Sequence, residues 1–310
     1  MQPRRGTPEP SFVGHGHEIA QLLEAHATNL GEPARVRQIR AGVDTEMVLV
    51  GRAPPLQKAA MAIVIHSLGE RQRLRRAGRA AAATLAAVGA RHRPGVTTAQ
   101  VDQWVREDPA RRGGVPSQLG YQGFPAAVCT SRNHVVCHGI PSAAEVLEEG
   151  DIVNVDVTTC LSGMHGDTSI TFVIGAASPE ARHVVEVARR CRDAGTAVVR
   201  HGARLGDIGA AIQELAEREG CSVVRELGGH GIGARMHAEP HVPHTGRAGS
   251  GPRLRAGMAL TIEPMFNLGA AAVRFLDDGW TVVTADGSLS TQFEHSVLVT
   301  EEGHEILTLP

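Results

Sequence analysis

Four acidic residues and one histidine stand where the sequence would build strands or glycine-rich turns: Asp156, Asp167, Glu263, Glu294 and His230. Asp156 and Asp167 fall within 151–172, where two runs rich in Val, Ile and Thr alternate polar and apolar residues around Leu161-Ser162-Gly163. That is the pattern of a β-hairpin, and a two-residue turn at Leu161-Ser162 sets Asp156 directly opposite Asp167. Like charges facing each other across a sheet destabilise it unless a cation or a raised pKa compensates. Glu263 ends the apolar run Met258-Ala-Leu-Thr-Ile262, Glu294 reads as lying inside a strand at 291–299, and His230 sits in Gly228-Gly-His-Gly-Ile-Gly233, where backbone can approach a ligand closely. Charged residues in such strands are rarely buried unless paired or metal-bound. The four carboxylates together carry a charge that two divalent cations balance, and an oxygen-rich set with one imidazole suits Mn, Fe, Co or Zn. His237, and His138 in Val135-Val-Cys-His-Gly-Ile-Pro141, are left for proton transfer or carbonyl polarisation, so the residue types point to a metal-dependent hydrolase.

Helices must carry these strands. Ser67-x-x-Glu70 fits a capping box and predicts a helix from there to about Ala90, stopped by Pro94-Gly95, with a second helix from about Thr98 to Arg106. A comparable pair recurs at 179–200, with Ser178 as N-cap and Pro179 in the first turn, and at 206–219. Pro94–Val101 aligns with His201–Ile208 at an offset of 107 residues, which predicts two related halves of helices followed by strands. The second half should then supply strands that face the first hairpin. Residues 1–60 are punctuated by Pro and Gly, hold one possible short amphipathic helix around Ile19, Leu22, Leu23 and His26, and read as an N-terminal extension of a catalytic domain at 61–310.

Composition removes several alternatives. In 310 residues, 42% apolar content suffices for a substantial core, and a net charge of −2 gives no bulk attraction to nucleic acid. The five cysteines show no C-x-x-C spacing, which favours reduced thiols and a cytoplasmic location over a disulfide framework. Lys58 is the only lysine, so 61–310 contains neither a P-loop lysine nor a Schiff-base lysine. Gly229-x-Gly231-x-x-Ala234 nominally fits a dinucleotide fingerprint, but Pro240 and Pro243 follow where that motif opens a helix. Arg4-Arg5 precedes no apolar signal region, and no apolar run approaches the ~18 residues of a membrane span.

Several segments from Ser67 onward carry a closer signature: Gly120-Tyr-Gln-Gly-Phe-Pro125, Asn133 through Pro141, Asn154-Val-Asp156, His165-Gly-Asp-Thr-Ser169, Gly229-His-Gly-Ile-Gly233, Thr261-Ile-Glu-Pro-Met265, Asp278-Gly-Trp280 and Glu294-His-Ser296. Together they resemble type I methionine aminopeptidases. The resemblance implies the α+β pita-bread fold, with pseudo-twofold helices packed on a curved antiparallel sheet, and the metal ligands Asp156, Asp167, His230, Glu263 and Glu294 for two divalent ions (Co, Mn, Fe or Zn). It makes Asp167 and Glu294 bridging ligands, gives Asp156 one ion and His230 with Glu263 the other, and makes the bridging water the nucleophile. Glu263 shuttles the proton, His237 polarises the scissile carbonyl and His138 contacts the substrate beside it. A methionine pocket is implied at Tyr121, Phe124, Cys129, Met236 and Trp280, and a monovalent cation at Asn133, Val135 and Ser290.

The implied partners are the N-termini of nascent polypeptides, with the ribosome as a further candidate, for a monomer that binds neither nucleic acid nor membrane. Three residues depart from the family pattern: His134 where an acid is frequent, Met236 where an aromatic is usual, and Gln118 where a small residue or Cys is usual. Two other readings are an aminopeptidase P or prolidase-like enzyme using the same ligands on Xaa-Pro bonds, and a non-catalytic protein of the same fold that binds RNA or ribosomes. The second expects lost ligands and a lysine-rich patch, and the sequence has all five ligand types and no such patch.

Overall fold

The computed structural model describes residues 62–310; the segment read as an N-terminal extension, with its candidate helix near Ile19, lies outside them. Helix α1 (Leu68–Gly89) starts at the expected capping box: Ser67 accepts from the Glu70 amide, and the Glu70 carboxylate accepts from the Ser67 amide at 2.8 Å. Helices α2 (Thr98–Arg111), α3 (Pro179–Ala197, capped by Ser178) and α4 (Leu205–Arg218) follow at the predicted places. α2 runs beyond the expected Arg106, with Pro109 inside it. A proline in the last turn forfeits one ladder bond near an end where bonds are being lost anyway, so the helix survives it.

The strands that build the site are β1 (Cys129–Arg132), β2 (Ile152–Leu161), β3 (Met164–Val173), β4 (Gly229–Gly231), β5 (Ala238–Val242), β6 (Ala259–Ile262) and β7 (His295–Val299). The β2–β3 hairpin forms, but its turn is Ser162-Gly163, one residue later than expected. Both residues are left-handed, at φ 54° and 74°, as a turn matched to the right-handed strand twist requires. Asp156 therefore pairs with Ser169 and Asp167 with Thr158, and the expected direct opposition of the two aspartates is replaced by a diagonal one. Because side chains alternate with period 2, this register still leaves both aspartates on one face.

The predicted repeat is visible in the backbone. Isolated bridges join Thr97 to Val146 and Arg204 to Arg253, both members of the second pair lying 107 residues after those of the first. Leu147 bonds the chain at Gly95 and Val96 as Leu254 bonds it at Gly202 and Ala203. At that offset Asp156 falls on Glu263.

In the second half β7, β6, β4 and β5 lie side by side in a five-stranded antiparallel sheet completed by His304–Ile306. Pairing of Ile262 with His295 ends that sheet at this point, and pairing of Met265 with Gln292 begins another. Glu263 and Glu294 occupy the two breaks between these pairings, so Glu294 lies between strands and not inside one. The hairpin meets this seam where Glu294 donates its amide to the Ser169 carbonyl at 3.0 Å. One apolar core packs α3 and α4 on the second half, another packs α1 and α2 on the hairpin sheet. α1 lies so close to the hairpin that a Cβ on Gly166 would overlap the backbone of Ala77 and Gly78, which explains the Ala- and Gly-rich helix face.

Candidate metal centre

The hairpin face, the paired breaks and β4 converge on one buried cluster. Ligand atoms of Asp167, His230 and Glu294 all lie within 4.8 Å of one another. Glu263 Oε1 is 3.4 Å from His230 Nε2, and Asp167 Oδ2 is 3.8 Å from the same nitrogen. Asp156 joins the group from the same hairpin face as Asp167, where the negative charges of Asp167 and Glu263 bear on its carboxyl. His230 Nδ1 is 3.1 Å from the Gly231 carbonyl, which can only accept, so Nδ1 carries the proton and Nε2 turns a lone pair toward the carboxylates.

Such an arrangement is unstable as it stands. Burial pushes Asp156 and Glu294 well above the usual carboxylate range, Glu263 to about 8 and Asp167 to about 6, with mutual repulsion adding to the shift of Asp156, Glu263 and Glu294. Burial likewise drives His230 down to about 4, so the ring is neutral. Glu294 Oε1 is buried with no hydrogen-bond partner, and among the described residues no Arg or Lys forms an ion pair with any of the four acids. Divalent cations would supply the missing positive charge and fill the orphaned oxygen, and the donor set of carboxylates plus one neutral imidazole fits them.

The other predicted residues fall into smaller groups. His237 Nδ1 lies 2.8 Å from the Tyr121 hydroxyl, and its ring centroid is 4.3 Å from that of His230. Desolvation pushes that ring to about 3, helped by the neighbouring imidazoles, although part of the residue stays open to solvent. His138, held at φ 55°, meets the edge of Trp280 at 6.3 Å between centroids. Phe124, Cys129 and Trp280 share one apolar cluster with Ala126 and Ile140; Met236 is buried but belongs to none of the apolar clusters. Asn133 accepts from the Ser290 amide at 2.8 Å, while Val135 pairs with Val283. All five cysteines are free thiols, and no helix among the described residues is long and apolar enough to cross a membrane.

A ring of polar residues that the sequence reading passed over steadies the ligands. Thr158 donates to Asp167 Oδ1 at 2.7 Å, Thr261 to Glu263 Oε1 at 2.7 Å, and Gln292 to Glu263 Oε2 at 3.1 Å. Thr261 also accepts from the His230 amide at 2.8 Å, and Ser296 binds both the amide and the carbonyl of Asp167. Their signal was present in the sequence: Thr158, Thr261, Gln292 and Ser296 each stand two residues from a ligand, and period 2 puts them on its face.

Residues 72–301 match the model of metallopeptidase family M24. Over 247 residues the chain is 49% identical to methionine aminopeptidase A of Synechocystis sp., covering 80% of this chain and 98% of that protein. The crystal structure of methionine aminopeptidase from Rickettsia prowazekii matches with a TM-score of 0.79 and 44% identity, over 80% of this chain and all of that one. Prolidase from Pyrococcus furiosus, with a TM-score of 0.62 and 19% identity over 79% of this chain and 65% of its own, shares the fold alone.

Proposed function

Since the chain belongs to metallopeptidase family M24, among its methionine aminopeptidases, we propose that it removes the N-terminal methionine from nascent polypeptides whose second residue is small. The observation that carries the reading is the convergence of four carboxylates, two buried and two part-buried, and a neutral imidazole with, among the described residues, no Arg or Lys paired to them. Asp156, Asp167, His230, Glu263 and Glu294 would hold two divalent ions, Asp167 and Glu294 serving both, Asp156 one, and His230 with Glu263 the other. When bound, the ions supply Lewis acidity and a water of lowered pKa.

The chain's own residues do the remaining work. Glu263, steadied by Thr261 and Gln292, takes up the proton released on attack and passes it to the departing amine. His237, whose Nδ1 is engaged by Tyr121, offers Nε2 to the scissile carbonyl, and His138 contacts the amide on its other side. Phe124, Cys129 and Trp280, with Tyr121 and Met236, enclose the methionine side chain, and the two histidines crowd the residue that follows. Asn133, Val135 and Ser290 would take a monovalent cation. We further propose that the protein works as a monomer in the cytoplasm, where its free thiols stay reduced, beside the ribosome that delivers its substrates.

A panel of Met-Xaa-Met and Xaa-Pro-Gly peptides at fixed Mn²⁺ tests the assignment. Met-Gly-Met and Met-Ala-Met should be cleaved, Leu or norleucine in first position more slowly by the ~1–3 kcal/mol of an imperfect apolar fit, and a charged first residue not at all. Faster release from Ala-Pro-Gly than from Met-Ala-Met would move the protein to the aminopeptidase P reading.

A further inference from the structure

One edge of β2 is covered by two different strands with an interval between them. β1 pairs along it as far as Asp156, opposite Cys129, and the two-residue strand Val115–Pro116 pairs with Thr159 and Cys160. In the interval the side chain of Gln118 takes the place of a strand. Its Nε2 donates to the Asp156 carbonyl at 2.9 Å and its Oε1 accepts from the Thr158 amide at 3.2 Å, just as a backbone peptide would, while the Ser117 amide donates to the Thr158 carbonyl at 2.8 Å. These two contacts fix which end of the carboxamide is nitrogen.

That nitrogen does more than complete the ladder. It lies 3.2 Å from Asp156 Oδ1 and 3.8 Å from Cys129 Sγ, and the whole residue is only 6% exposed. An amide on Oδ1 fixes the rotamer of a carboxylate that otherwise faces three more acids, and leaves the other oxygen for a ligand. Through the same nitrogen Gln118 touches Cys129, a member of the apolar cluster with Phe124 and Trp280, so the side chain sits where that cluster meets Asp156.

We propose that Gln118 is a positioning and specificity-determining residue, whose carboxamide sets the orientation of Asp156 and whose volume limits the length of the side chain the pocket accepts. The substrate half of this inference rests on the methionine aminopeptidase reading; the metal half does not. Two variants of the full chain separate the halves. Q118M keeps the volume and removes the amide, so in calorimetric titration of the metal-depleted protein it should bind Mn²⁺ about tenfold or more weakly, with the preference between Met-Ala-Met and its ethionine counterpart unmoved. Q118A opens the wall and should raise kcat/KM for the ethionine peptide relative to Met-Ala-Met by about fivefold or more. Q118C, small and apolar, repeats the substrate arm if Q118A does not fold. A purely structural plug would lower thermal stability and leave both readouts alone. Parental Mn²⁺ affinity in Q118M would overturn the positioning role, and an unmoved substrate ratio in Q118A or Q118C would overturn the specificity role. Failure of the parent protein to cleave either peptide would instead refute the functional reading, with the calorimetric arm still deciding the role toward Asp156.

Discussion

Asp151 immediately precedes the β2–β3 hairpin and Asp167 lies within its second strand; they are 6% and 5% exposed and have contrasting company. Asp151 meets a guanidinium fork, with Arg132 Nε at 2.6 Å and Nη2 at 3.0 Å, plus the Asn133 amide at 2.8 Å and the Glu148 backbone at 2.7 Å. Asp167 meets one hydroxyl, from Thr158, and the Thr168 backbone amide, and otherwise faces carboxyl groups and the lone pair of His230, with no cationic side chain among the described residues. The first is a buried charge that the fold itself neutralises. The second is a buried charge left for something else to neutralise, and that difference separates a brace from a ligand more sharply than burial or residue type does.

Substitution should therefore act with different outcomes at the two sites. Asp167→Asn should cut turnover by about a thousandfold or more, ~4 kcal/mol of transition-state stabilisation, and weaken Mn²⁺ binding in calorimetry, because a neutral amide replaces a ligand shared by two ions. The metal-free protein should be as stable as the parent or more so, since a buried repulsion has been relieved. Asp151→Asn should do the reverse, costing ~2–3 kcal/mol in urea unfolding by leaving Arg132 only the exposed Glu148 as an ionic partner, while kcat per folded molecule holds. Equal loss of stability in both metal-free variants would dissolve the distinction.

A third site, part-buried, sharpens it from the neutral side. His92 stacks on Phe172 at 4.7 Å between centroids, neither ring nitrogen has a partner, and burial pushes it down to about 4. A histidine whose folded pKa is depressed costs nothing above its unfolded value near 6.5, and destabilises progressively as pH falls from there through 4, where the unfolded chain alone takes the proton. By pH 5 the cost is ~2 kcal/mol. His92→Phe should flatten that acid limb of the stability profile; an unchanged slope would show that the ring finds a donor or acceptor in solution.

How much of this was legible in the sequence depended on whether the determinant was local. The Ser67–Glu70 capping box and the Ser178-Pro179 start were readable because a cap is settled within four residues. The hairpin face was readable even though the turn was placed one residue early, because the true pairing preserves the parity of the side chains. Glu263 at a strand end was read correctly, but Glu294 was taken as internal. The break beside it arises where paired segments pass from one sheet to the next, which requires knowing both partners. Gln118 stood out only as an unusual residue; its role depends on an interval between two strands that lie on either side of it in sequence.

The central claim is that the unneutralised acids are a divalent-ion centre that drives methionine release, and one titration addresses it directly. Metal-depleted protein receives Mn²⁺ in steps while heat and methionine release from Met-Ala-Met are followed on the same sample. Release should be absent at the start and rise with ion binding, reaching its plateau as no more than two equivalents are taken up. Full-rate release in the presence of excess chelator, or saturable ion binding that leaves release unchanged, would contradict the account.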